Sequence, residues 1–146
     1  MSMQDFERQY RKIVRISGVY DLLASFPFAL PVLVSMQLET LLKLQNWFGL
    51  SGQLPVFEPL HLFFLNLFGS IVSIWAVLRI MKPDPLFGLF DGVGRAVFSA
   101  LMIYYLVVWK IPQVVLLFLI PEILFGIAQL GGYWLYRLSP EEVHKV

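Results

Sequence analysis

The sequence predicts an all-α integral membrane protein, a bundle of four spanning helices with an N-terminal amphipathic segment and an interfacial helix in the first outer loop. Three observations predict it. Of 146 residues, 58% are hydrophobic and only 14% charged, against about 45–50% and about 25% in soluble domains. The apolar residues gather in four stretches near the ~20 residues that a helix needs to cross a hydrocarbon core of about 30 Å. The links between the later stretches are short enough to force antiparallel neighbours. One transmembrane domain, residues 1–146, is expected.

The elements follow in order. Met3, Phe6, Tyr10, Ile13 and Val14 recur at helical spacing opposite Arg8, Arg11, Lys12 and Arg15, a pattern suited to an anionic membrane surface. The first span is placed at 13–36. A cleaved signal peptide is disfavoured there, because the apolar region is too long and contains Asp21, Pro27 and Pro31. In residues 37–57, Leu38, Leu41, Leu42 and Phe48 form one stripe, which predicts a short surface helix ending near Gly49 and Gly52. The second span is 60–81, with Glu58 and His61 reaching water at its outer end. Lys82-Pro83-Asp84-Pro85 is a tight turn, since each proline disfavours helix at the residue before it. The third span, 86–109, and the fourth, 114–136, flank the short link Lys110-Ile111-Pro112-Gln113. Gly88, Gly92 and Gly94 read as close-packing positions. Trp75, Trp109, Trp134, Tyr133 and Tyr136 lie near span ends and read as aromatic belts.

The cations set the orientation. Arg8, Arg11, Lys12, Arg15, Arg79, Lys82, Arg137 and Lys145 fall on one side, and only Lys43 and Lys110 on the other. The positive-inside rule then places both termini in the cytoplasm.

Polar groups inside the spans are the candidate site. A charge at a span centre costs about 2.5–3.5 kcal/mol on insertion scales. At about 1.5 Å per residue, Asp21, Asp91, Arg95 and Gln129 share a layer roughly 8–14 Å from the cytoplasmic edge, with Glu122 roughly 22 Å in. Asp91 and Arg95 are four apart and can pair on one face. Glu122, Gly126, Gln129 and Tyr133 form one stripe, as do Asn66, Ser70 and Ser73, and Gly18, Asp21 and Ser25. Such stripes of small and polar residues line helix interfaces in membranes. Asp21, Asp91, Arg95, Glu122, Gln129 and Asn66 are therefore the candidates for ligand binding or proton carriage. Three carboxylates against Arg95 alone would carry a net charge of −2. At least one of the three, Glu122 first, is then expected to hold a proton or be neutralised by a cation or partner. The alternative is a structural clasp of Arg95 and Asp21 with Asp91 reaching water. Pro27, Pro31 and Pro121 release carbonyls that either line a cavity beside Asn66 or Glu122 or simply accompany kinks.

Several chemistries find no support. There is no cysteine, hence no thiolate metal site or thiol nucleophile. His61 and His144 fall on opposite sides of the membrane and cannot clamp one haem. No His–carboxylate set has metal-ligand spacing, and no phosphate loop follows a strand. A net charge of +1 with basic residues at the membrane edge argues against nucleic-acid binding. No cofactor is expected.

The four spans, inside termini and the run Arg15-Ile16-Ser17-Gly18-Val19-Tyr20-Asp21-Leu22-Leu23 resemble the DoxX-like group of small bacterial membrane proteins. The resemblance implies a bacterial inner-membrane location and a subunit or accessory role, in some members beside quinone-linked oxidoreductases. It carries over no catalytic residue. The expected function is a non-catalytic binder of a lipid, quinone or membrane-protein partner through the Asp/Arg/Glu cluster, including a second copy of the chain. The alternatives are a dimeric proton-coupled transporter and a membrane enzyme with the carboxylates as acid and base.

Overall fold

A computed structural model describes residues 3–138. His144, Lys145 and the side chain of Met3 lie outside the described part. The regular elements of the described residues are all helices, with α1 (Met3–Ala29), α2 (Pro31–Trp47), α3 (Pro59–Met81), α4 (Pro85–Tyr104) and α5 (Leu116–Arg137). A π-helical turn, Tyr105–Trp109, extends α4, and a 3-10 turn, Gln113–Val115, leads into α5.

Three segments are long and apolar enough to cross a membrane, Pro59–Met81, Pro85–Trp109 and Gln113–Arg137. They match the last three expected spans. The first does not run straight from 13 to 36. Pro31 has no N–H to offer the carbonyl four residues back, and Leu30 is extended (φ −110°, ψ 122°), so a new helix starts at Pro31. The axes of α1 and α2 differ by 114°, and only if this bent pair counts as one span is there a fourth. The helix expected within residues 37–57 is α2, which begins earlier, at Pro31. It ends where Gly49 takes a left-handed φ of 63°.

Helix α3 braces the break. Asn66 Nδ2 donates to the Phe28 carbonyl at 2.7 Å, one of the acceptors freed where α1 stops. Gly69 lies directly under the joint, and a Cβ there would sit 2.5 Å from the Ala29 nitrogen.

The N-terminal half of α1 is continuous with its apolar half, and part of its apolar face packs within the protein. Tyr10 and Val14 are buried at 1% and 0% exposure within the protein. The Tyr10 ring lies against Gly88 of α4 and Gly132 of α5. Its hydroxyl donates to the Gln129 carbonyl at 3.0 Å.

Helix α1 packs along α3, and α4 along α5, with α1 also touching α4 and α5. Between α3 and α4 the backbones stay apart, and large side chains bridge them, as in the ring pairs Trp75–Phe87 and Phe68–Phe98. The turn between them is stabilised by Asp84, whose Oδ1 caps α4 by accepting from Leu86 N at 2.9 Å. At the other end Ser51 and Gln113 exchange two hydrogen bonds of 2.9 Å. Glu58 N donates to His61 Nδ1 at 3.1 Å as part of a capping box, so this pair closes the start of α3.

Burial is inside out relative to a soluble protein. Among the described residues, ten polar or charged side chains are buried against seven hydrophobic ones. Leu23, Val32, Phe64, Ile71, Leu124 and Ile127, by contrast, are well exposed. An apolar exterior around a polar interior is what a bilayer solvent selects.

Candidate functional site

Each packed helix delivers polar side chains to one layer. From α1 come Ser17 and Asp21, from α3 Arg79 and Trp75, from α4 Asp91 and Arg95, and from α5 Glu122 and Gln129. The i, i+4 spacing of Ser17 and Asp21, and of Asp91 and Arg95, keeps each pair on one face.

Asp91 accepts four hydrogen bonds. Its Oδ2 accepts from Arg79 Nη1, from Arg95 Nε at 2.9 Å and from Gln129 Nε2 at 2.8 Å. Its Oδ1 accepts from the indole Nε1 of Trp75 at 2.8 Å. Asp21 Oδ2 receives both Arg79 Nη2 and Arg95 Nη2. Arg95 Nη1 reaches Glu122 Oε1 at 3.0 Å, and its Nε also meets Gln129 Oε1 at 3.2 Å. Ser17 Oγ accepts from Arg79 Nη1 at 3.0 Å and from Gln129 Nε2 at 2.8 Å. Two guanidiniums thus bridge two aspartates in a closed lattice, the planar fork of arginine suiting such multidentate pairing. Ring faces cover both cations, Trp75 at 5.8 Å from Arg79 Cζ and Phe125 at 5.2 Å from Arg95 Cζ.

The structure therefore joins Asp21, Asp91, Arg95, Glu122 and Gln129 as the sequence grouped them. It corrects the rest of that reading in five places. Asn66 is not part of the cluster; its amide is spent on Phe28. Arg79, expected at the cytoplasmic edge, is fully buried and central. Trp75, expected in the aromatic belt, is a donor to Asp91. Asp91, placed in contact with water in the alternative reading, is buried at 7% exposure. Gly94 is not a close-packing position, since a Cβ there would meet nothing within 4 Å. With Arg79 included, three carboxylates face two arginines, and the ionised cluster carries −1 in place of −2.

A signal for Arg79 was present. Ser73, Ala76 and Arg79 follow at steps of three along α3 and are all buried, continuing the face that carries Gly69. Counting from the helix end hid this, because a long side chain that points back along its helix reaches deeper than its Cα.

Beside the cluster, between α3 and α4, lies a cavity of about 540 Å³. Asp21, Ser25, Asp91, Arg95 and Glu122 stand on its wall, which is otherwise mostly apolar and aromatic. Phe68, Phe90, Phe98 and Tyr105 line it and are also exposed on the outer surface, so it opens sideways between the two helices. Tyr105 belongs to the π-helical turn, a distortion that often marks a functional position. Glu122 Oε2 is buried without a hydrogen-bond partner, and Asp21 Oδ1 accepts from no described residue. Among the described residues, no group of three or more His, Asp or Glu is placed to hold a metal ion.

Comparison of the chain with protein-family models, curated proteins and solved structures finds no match.

Proposed function

We propose that this is a non-catalytic integral membrane protein that holds a lipophilic molecule in the cavity between α3 and α4, with the polar end of that molecule against Asp21, Arg95 and Glu122. The carrying observation is the meeting of an apolar, laterally open cavity of about 540 Å³ with a buried ionic cluster on its wall. That volume lies within the ~300–1,000 Å³ of ordinary small-molecule sites, and apolar walls with a few convergent polar groups are their usual make-up. A lateral mouth admits a molecule already dissolved in the bilayer, such as a quinone or a lipid chain. The absence of catalysis fits the bonding: Asp21 and Asp91 are held by both arginines, leaving neither free to shuttle a proton.

The wider setting belongs to the same proposal. The chain forms one four-span domain with both termini cytoplasmic, in a bacterial inner membrane, as a member of the DoxX-like group. The basic residues of α1 and of the α3–α4 turn, Arg8, Lys12, Arg15 and Lys82, support that orientation.

Photo-crosslinking in the native membrane tests the ligand site. A benzophenone amino acid at Phe98, on the cavity wall, should capture a discrete small lipophilic species. The same label at Phe63, exposed on α3 outside the cavity, should capture only bulk lipid. Identical capture at both positions would remove the case for a site.

A further inference from the structure

The charge of the ligand is legible in the cluster. Resting on the reading that the cavity binds a lipophilic molecule, we propose that its ligand class is the lipophilic cation: an ammonium- or phosphonium-type centre carried on an apolar body.

Charge balance is the first argument. Asp21, Asp91 and Glu122 are joined to Arg79 and Arg95 in one hydrogen-bonded set, and one negative charge is left over. In a low-dielectric interior a residual charge is costly unless something neutralises it. A proton on Glu122 or a cation in the adjoining cavity does so, whereas an anionic head doubles the imbalance.

Position is the second. Arg79 is fully buried and does not line the cavity, so its positive charge is turned inward onto the aspartates. Arg95 lines the cavity, but its Nε and both terminal nitrogens already donate to Asp91, Glu122 and Asp21. Two carboxylate oxygens, Asp21 Oδ1 and Glu122 Oε2, have no described hydrogen-bond donor. The Oε2 atom is covered at rest, and a turn of the carboxylate about its soft terminal torsion presents it.

The walls are the third. Tyr20, Phe68, Trp75, Phe90, Phe98 and Tyr105 all border the cavity. The face of an aromatic ring attracts a cation where water is excluded. Aromatic walls closing on a carboxylate recognise an organic cation.

Tetraphenylphosphonium and tetraphenylborate have nearly one shape and opposite charge, which makes them the decisive probes. Calorimetric titration of the protein in neutral-lipid nanodiscs, corrected for empty discs, should show saturable phosphonium binding at least about tenfold tighter than borate. Glu122→Gln should weaken phosphonium binding about tenfold, while pyrene, a neutral aromatic hydrocarbon, binds wild type and variant alike. If pyrene binds but phosphonium has no advantage over borate, the cation assignment falls and the cavity reading stands. Should neither pyrene nor phosphonium bind the wild type, both fall together. The comparison of the two ions on wild-type protein decides the charge even if Glu122→Gln fails to fold.

Discussion

At the scale of single residues, Arg79 changes the account most. It donates to Ser17, Asp21 and Asp91 from a position with no solvent contact. Removing one partner of such a buried network strands the others. Arg79→Met should therefore destabilise the protein by about 3–5 kcal/mol in unfolding measurements in lipid or detergent. Arg79→Lys should recover only part of this, because one ammonium cannot reproduce the planar fork. Arg8→Met, which removes an exposed cation, should leave stability unchanged. Trp75→Phe deletes the indole donor to Asp91 and should cost about 1.5–3 kcal/mol, as hydrogen bonds to charged groups do. A wild-type-like unfolding curve for either the Arg79 or the Trp75 variant would contradict the network. Asp21, Asp91, Arg95, Glu122 and Gln129 were legible because depth and helical face can be counted from sequence. Arg79 and Trp75 were passed over, since both types are common at membrane edges for reasons unrelated to any site.

At the scale of elements, the sequence showed where helices lie but not where the first one breaks. Pro27 and Pro31 look alike in one dimension. Pro27 sits inside α1, whereas Pro31 opens α2 after an extended residue. What separates them is tertiary: Asn66 takes the Phe28 carbonyl, and Gly69 makes room for the joint. Spin labels at Leu23 on α1 and Lys43 on α2 can be placed without background, because the chain has no cysteine. Asn66→Leu should broaden the distance distribution between them, and an unchanged distribution would show that the amide does not brace the break. The amphipathic start of α1 was equally ambiguous, because one apolar face fits lipid or protein. The glycines decide it, Gly88 and Gly132 forming the seat for Tyr10. Tyr10→Ala should cost about 3–5 kcal/mol, as truncating a large buried ring does. A helix merely resting on the membrane would lose almost nothing.

At the scale of the molecule, low charge content and a polar interior are one fact seen twice. The chain keeps few charges, and those within the spans are drawn together until α1, α3, α4 and α5 each contribute to one cluster. Composition announced the membrane setting, and the polar stripes announced the faces. The cavity was illegible, because it arises where α3 and α4 part and large aromatic side chains bridge the gap. Gly94 shows the difference: in sequence it resembled a packing glycine, and in space it faces an opening. The same residue gives the most direct test of a ligand-binding cavity. Gly94→Phe adds a ring where a Cβ meets no atom within 4 Å. Native mass spectrometry of protein released from its own membrane should show a lipophilic adduct on the wild type that is lost from Gly94→Phe at equal folded stability. An adduct of the same mass and occupancy on both proteins would contradict the site.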